Sequence, residues 1–173
     1  MVEMVDTDRQ FTALFHEFYP CLCRFLSSML GDVRRAEELA QEGLLRLYLS
    51  PMKEAPRDEA RNWVFRVVRN LALNERKRAA NSARLARWAL RSEARDAPSA
   101  ELALQRKQEL ALVWRLVLEL PEQQRAALLL REHEAMSYAD IARVLGISLE
   151  NVKVSIFRAR RYVREGWRRE VKR

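Results

Sequence analysis

The sequence predicts an all-α protein: two small helical domains joined by a linker, the C-terminal one carrying a helix-turn-helix. Three observations predict it. Glycine and proline are scarce, 4 and 5 of 173 residues, while Ala, Leu, Arg and Glu abound; sheets need turns and β-branched runs that are missing here. Apolar residues recur at steps of three and four along much of the chain, the period of amphipathic helices. The charge alternates in four blocks. Residues 1–60 carry a net −4, 61–95 a net +8, 96–152 a net −3 and 153–173 a net +7, within an overall +8. Two basic blocks, each after an acidic helical stretch, point to two polyanion contacts. Solvated basic faces are the bland alternative. About half the residues are hydrophobic (49%), so each domain can hold a core, modest at roughly 70–80 residues.

The elements follow in chain order. Residues 9–30 place Phe11, Leu14, Phe15, Phe18, Leu22, Phe25, Leu26 and Leu30 on one helical face, with Pro20 expected to kink the helix or split it. Gly31-Asp32 stops it and starts the next. Residues 33–49 form a second helix, apolar at Ala36, Leu39, Ala40, Leu44 and Leu47 and polar at Arg35, Glu38, Gln41, Glu42 and Arg46. Gly43 sits mid-helix, where it costs about 1 kcal/mol relative to alanine. Pro51 and Pro56 mark a loop. A third helix from Arg61 carries the stripe Val64, Val67, Val68, Leu71 and Ala72, with Arg66, Arg69, Asn70, Asn74 and Arg76 to Arg78 opposite. Residues 1–80 form the first domain. Residues 81–100, Ala- and Arg-rich and ending in "DAPSA", read as a partly helical linker. Residues 101–173 form the second domain. Its first helix uses Leu102, Leu110, Val113, Leu116, Val117 and Leu120, and Pro121 suits the first turn of the next.

Ser137 with Asp140 is a capping-box-like start. Gly146 breaks that helix, and Ser148 caps a last one with Glu150 at its positive end. Helix, glycine turn, capped helix is a helix-turn-helix pattern. At about 100° per residue, Val152, Ile156, Ala159 and Val163 make the buried stripe of the last helix. Glu150, Lys153, Val154, Phe157, Arg158, Arg161 and Arg164 gather opposite. A bundle hairpin would rarely expose a phenylalanine beside three arginines. A major-groove helix can set Phe157 against thymine methyls and Lys153 or Arg158 against guanine edges. Arg161, Arg164 and the terminal Arg168, Arg169, Lys172 and Arg173 suit phosphates.

Other chemistries find little support. Cys21 and Cys23 point to different helix faces and are read as reduced thiols. With His16 they match no zinc spacing, so no metal is expected. His16 and His133 are the only histidines. With no Gly-rich phosphate loop and no nucleophile set, neither catalysis nor a cofactor is expected. No apolar run reaches the roughly 18 residues of a membrane span and no signal peptide is visible; a cytoplasmic protein is expected.

The stretch "LPEQQRAALLLREHEAMSYADIARVLGISLENVKVSIFRARRYVRE" closely resembles region four of the extracytoplasmic-function (ECF) bacterial sigma factors. Its landmarks are Leu120-Pro121, Arg125, Leu128 to Arg131, Ser137-Tyr138, Ile141-Ala142, Leu145 to Ser148, Val152-Lys153 and Arg158 to Arg160. "GDVRRAEELAQEGLLRLY" resembles the polymerase-binding helix of region two, and "ARNWVFRVVRNLALNERKR" its promoter-melting segment. The resemblance covers roughly residues 9–80 and 101–170, in the right order. It implies an alternative sigma factor that directs core RNA polymerase to promoter DNA and is held off by an anti-sigma factor. Glu38, Gln41, Glu42, Leu45 and Arg46 would bind polymerase. Arg66, Arg69, Asn70, Asn74 and Arg78 would read and open the minus-ten element, with Trp63 in the core. Ser148, Glu150, Asn151, Lys153, Val154, Phe157, Arg158, Arg161 and Arg164 would read the minus-thirty-five element. Relatives often carry arginine at the position of Ser155 and serine at that of Val154. A stand-alone helix-turn-helix regulator is the alternative, and it leaves the basic block of the first domain without a role.

Overall fold

The structure is a computed structural model describing residues 2–82 and 100–171. It is helical throughout the described residues: α1 Val2–Leu30, α2 Val33–Tyr48, a 3-10 turn Pro51–Glu54, α3 Arg57–Ser82, α4 Ala100–Glu119, α5 Glu122–Glu132, α6 Tyr138–Leu145 and α7 Leu149–Val171. Helices α1 to α3 pack together as one unit and α4 to α7 as a second. The two units also touch, chiefly through α3 against α6 and α1 against α5. The linker expected over 81–100 falls almost wholly outside the described residues, as do the side chain of Leu102 and the terminal Lys172 and Arg173.

The first core forms because three amphipathic helices turn their stripes inward. Phe18, Leu22, Phe25, Leu26 and Met29 of α1 meet Leu39, Leu44 and Leu47 of α2 and Val64, Phe65 and Val68 of α3, all buried. Phe25 and Phe65 meet edge to face at 5.6 Å, the arrangement the ring quadrupole favours. Asp32 caps α2, its carboxylate accepting from Arg35 N at 3.0 Å. Gly43 has a positive reason. A methyl there would lie 2.3 Å from Val68 Cγ1, so glycine lets α2 and α3 approach closely.

Pro20 neither splits nor ends α1, which runs unbroken through it. The bond lost is the one to the His16 carbonyl, and both residues are exposed, so water can take that carbonyl.

The second core gathers Val117, Leu120, Leu128 to Leu130, Met136, Ile141, Val144, Leu145, Val152, Ile156 and Ala159. Leu110, expected on the inner stripe of α4, is exposed instead. It lines an open apolar groove with Trp114, Val163 and Trp167. Pro121 stands one position earlier than expected, as the N-cap of α5.

Candidate nucleic-acid interface

The α6–α7 pair is built as its residues dictate. Ser137 caps α6, accepting from Asp140 N at 3.1 Å while its hydroxyl donates to Asp140 Oδ2 at 2.5 Å. That bond is the first cause holding the Asp140 carboxyl below its ordinary value, with Asn62 and Arg143 adding to it. Gly146 ends α6 at φ 66°, ψ 37°, a left-handed conformation that penalises any Cβ. Its N–H and that of Ile147 both donate to Ala142 O, at 2.8 and 3.2 Å, closing the turn. Ser148 then caps α7, accepting from Asn151 N at 3.2 Å.

Val152, Ile156 and Ala159 seat α7 on its neighbours. The opposite face is open: Ser148, Glu150, Asn151, Lys153, Val154, Phe157, Arg158, Arg161 and Arg164 are all exposed. Val154 is 44% exposed and Phe157 64%, an apolar pair in water with cations around it. The Arg161 guanidinium lies 5.9 Å from the Phe157 ring centre, within cation–π range. Ser155 belongs elsewhere. It is buried and its hydroxyl accepts from Gln123 Nε2 at 3.1 Å, tying α5 to α7. The absence of a charge at that position therefore takes nothing from the exposed face.

The α3 set divides in two. Asn70, Asn74 and Arg78 are exposed. Arg66 and Arg69 are engaged by the second unit: Arg66 donates to Arg143 O at 2.6 and 3.1 Å, and Arg69 pairs with both Glu122 oxygens at 3.0 and 3.1 Å. The sequence reading passed over two neighbours on this face. Arg61 donates to Glu134 O at 2.7 Å and Asn62 to Asp140 Oδ1 at 2.7 Å. The spacing 62, 66, 69 was the available signal. Trp63 is half-buried and packs against the core, as expected.

On α2, Gln41, Leu45 and Arg46 face outward with Glu38, and Glu42 is half-buried. Leu45, 57% exposed, stands beside the Glu42–Arg46 pair at 2.5 Å. Cys21 and Cys23 are free, and burial raises both thiols above their ordinary value, which favours the thiol over the thiolate. Among the described residues no cluster of His, Cys, Asp or Glu could hold a metal, and no helix is long and apolar enough to cross a membrane.

Comparison with known proteins agrees with this geometry. Residues 14–82 match the family model of sigma-70 region 2, and residues 110–163 that of sigma-70 region 4. The chain is 30% identical over 160 residues to the RNA polymerase sigma-H factor of Pseudomonas aeruginosa, covering 88% of this chain and 83% of that one. It is 28% identical over 141 residues to the ECF RNA polymerase sigma factor EcfG of Rhodopseudomonas palustris, covering 82% and 76%. A similar fold occurs in the sigma factor RpoE from Bartonella quintana, solved in complex with the anti-sigma factor NepR. The TM-score is 0.71 at 21% identity, over 91% of this chain and 96% of that one. The two family-model matches in this order, on two helical units of which the second ends in an exposed basic helix, together with these relatives place the chain in the ECF subfamily of the sigma-70 family of RNA polymerase sigma factors.

Proposed function

We propose that the work of this sigma factor is divided among three helices. The outer face of α2, through Glu38, Gln41, Glu42, Leu45 and Arg46, holds core polymerase. The polar face of α3, through Arg66, Arg69, Asn70, Asn74 and Arg78, captures and opens the minus-ten element. The exposed face of α7, from Ser148 to Arg164, reads the minus-thirty-five element. The units correspond to residues 1–80 and 101–173, with 81–100 between them. The observation that carries the reading is the exposed Val154–Phe157 pair ringed by Lys153, Arg158 and Arg161. A helix packed only for stability has no reason to present it.

Opening a promoter needs no covalent chemistry, only groups that bind unstacked bases and repay a few kcal/mol of lost stacking. The protein is accordingly a non-catalytic, cofactor-free initiation factor of the cytoplasm. Restraint by an anti-sigma partner fits both this assignment and the relative solved in such a complex. Run-off transcription with bacterial core polymerase on a random-promoter library tests the whole. Enriched upstream and downstream elements at fixed spacing are expected. Tight duplex binding with no polymerase-dependent transcript would instead make the chain a stand-alone regulator.

A further inference from the structure

One edge of the recognition face is supplied by a different helix. Ser155 borders the open side of α7: at about 100° per residue, Asn151 lies within about 40° of it and Arg158 within about 60°. Both of those neighbours are exposed, yet Ser155 is only 5% exposed. Gln123 reaches it from the second position of α5. That side chain is itself exposed, and its Nε2 donates to the Ser155 hydroxyl at 3.1 Å. At this edge the polar group offered to a ligand is therefore the carboxamide of α5, beside Asn151 and Arg158 of α7.

The carboxamide is held in place without being satisfied. A glutamine side chain has two N–H donors and a carbonyl oxygen. Ser155 takes one donor, and among the described residues nothing else engages the group. Oε1 and the second N–H remain. They are an acceptor beside a donor, the pair that the N6 and N7 edge of adenine matches in the major groove. The start of α5 is fixed as well, because the buried Arg125 donates to Leu120 O at 3.0 Å and to Leu118 O. A rotamer-rich side chain is thus tied down before DNA arrives, which removes part of the ordering cost of a contact. A neutral amide draws less from a phosphate than the arginines around it do, whereas a base edge uses its donor and its acceptor together. We propose that Gln123 is a base-reading residue for the upstream element, with Ser155 as its positioning residue and adenine as its preferred partner. This rests on the assignment of α7 to the minus-thirty-five element, and it extends the reading surface onto α5.

The test uses the full chain with core polymerase on a promoter library randomised over the upstream element, read by sequencing the transcripts. Gln123→Ala should lose about fivefold or more of the preference for adenine at one position, with helicity and urea unfolding as in the parent. Ser155→Ala keeps the amide but frees it, so it should blur the same position by less. Gln123→Glu keeps the shape and exchanges the donor for an acceptor. It should move the preference at that position from adenine towards cytosine, whose N4 donates. Arg158→Ala runs alongside as the check on α7. If Arg158→Ala alters upstream selectivity while both Gln123 variants leave it unchanged, the proposal is overturned and the assignment of α7 stands. A uniform drop in output with unchanged base preference also overturns it, because Gln123 would then be a brace or a backbone contact. If no variant, Arg158→Ala included, changes upstream selectivity, the assignment of α7 falls as well.

Discussion

Phe157 and Val154 show how much one side chain can decide. Leaving a phenylalanine in water forgoes about 1.5–3 kcal/mol of burial, and α7 leaves Phe157 at 64% exposure with Val154 beside it. Lys153 and Arg158 flank the pair on the same open face. Arg158→Ala or Lys153→Ala should lower transcription and relax selectivity in the upstream element, by about 1–3 kcal/mol where the lost contact is to a base. Sequencing transcripts from a random-promoter library measures this. Selectivity as sharp as in the parent would move base reading to another face. This face was legible in the sequence because Ser148, Val152, Ile156 and Ala159 set the register of α7 unambiguously. Ser155 was not, because helical angle alone cannot show that Gln123 reaches it from another helix.

At the level of elements, α2 and α3 were readable from their stripes, but the closeness of their packing was not. Mid-helix Gly43 looks like a weakness until Val68 is seen against it. Gly43→Ala gains about 1 kcal/mol of helix propensity and incurs about 1–3 kcal/mol of overpacking. Val68 is β-branched and stiff at χ1, so the clash should win. The expected outcome is a net loss of about 1 kcal/mol in urea unfolding, partly recovered when Val68→Ala is added. A more stable Gly43→Ala would mean that the helices separate freely. On the far side of α3, Asn70 and Asn74 are exposed and contribute nothing to the core. Replacing either by Ala should impair promoter opening, followed by permanganate reactivity of unpaired thymines, while core polymerase is still retained in pull-down. Loss of polymerase binding instead would make them part of that interface. Pro20 gives the opposite lesson: a breaker on paper is harmless where the orphaned carbonyl faces water.

The arrangement of the whole molecule was the least legible, for a physical reason. Its junction joins residues far apart in the chain, Arg24 to Glu134 and Asn62 to Asp140. A glutamate at 134 reads in sequence like any solvated glutamate. The block pattern of charge points to polyanion contacts and not to a contact between the two units. Asp140 ties the scales together, because one carboxylate accepts from Ser137 at the start of α6, from Arg143 on the next turn and from Asn62 across the junction. Those bonds hold its pKa below the ordinary 3.8. The folded protein therefore binds this proton less readily than the unfolded chain. The stabilisation is fully present above 3.8 and is lost as the pH falls below it, through the depressed folded value. Unfolding followed from pH 7 into acid should thus show a loss of stability below about pH 4. Asp140→Asn, which cannot titrate, should start less stable at neutral pH and show a shallower acid slope. If the parent and Asp140→Asn kept parallel acid profiles, Asp140 would not be the group that couples α6 to the first unit.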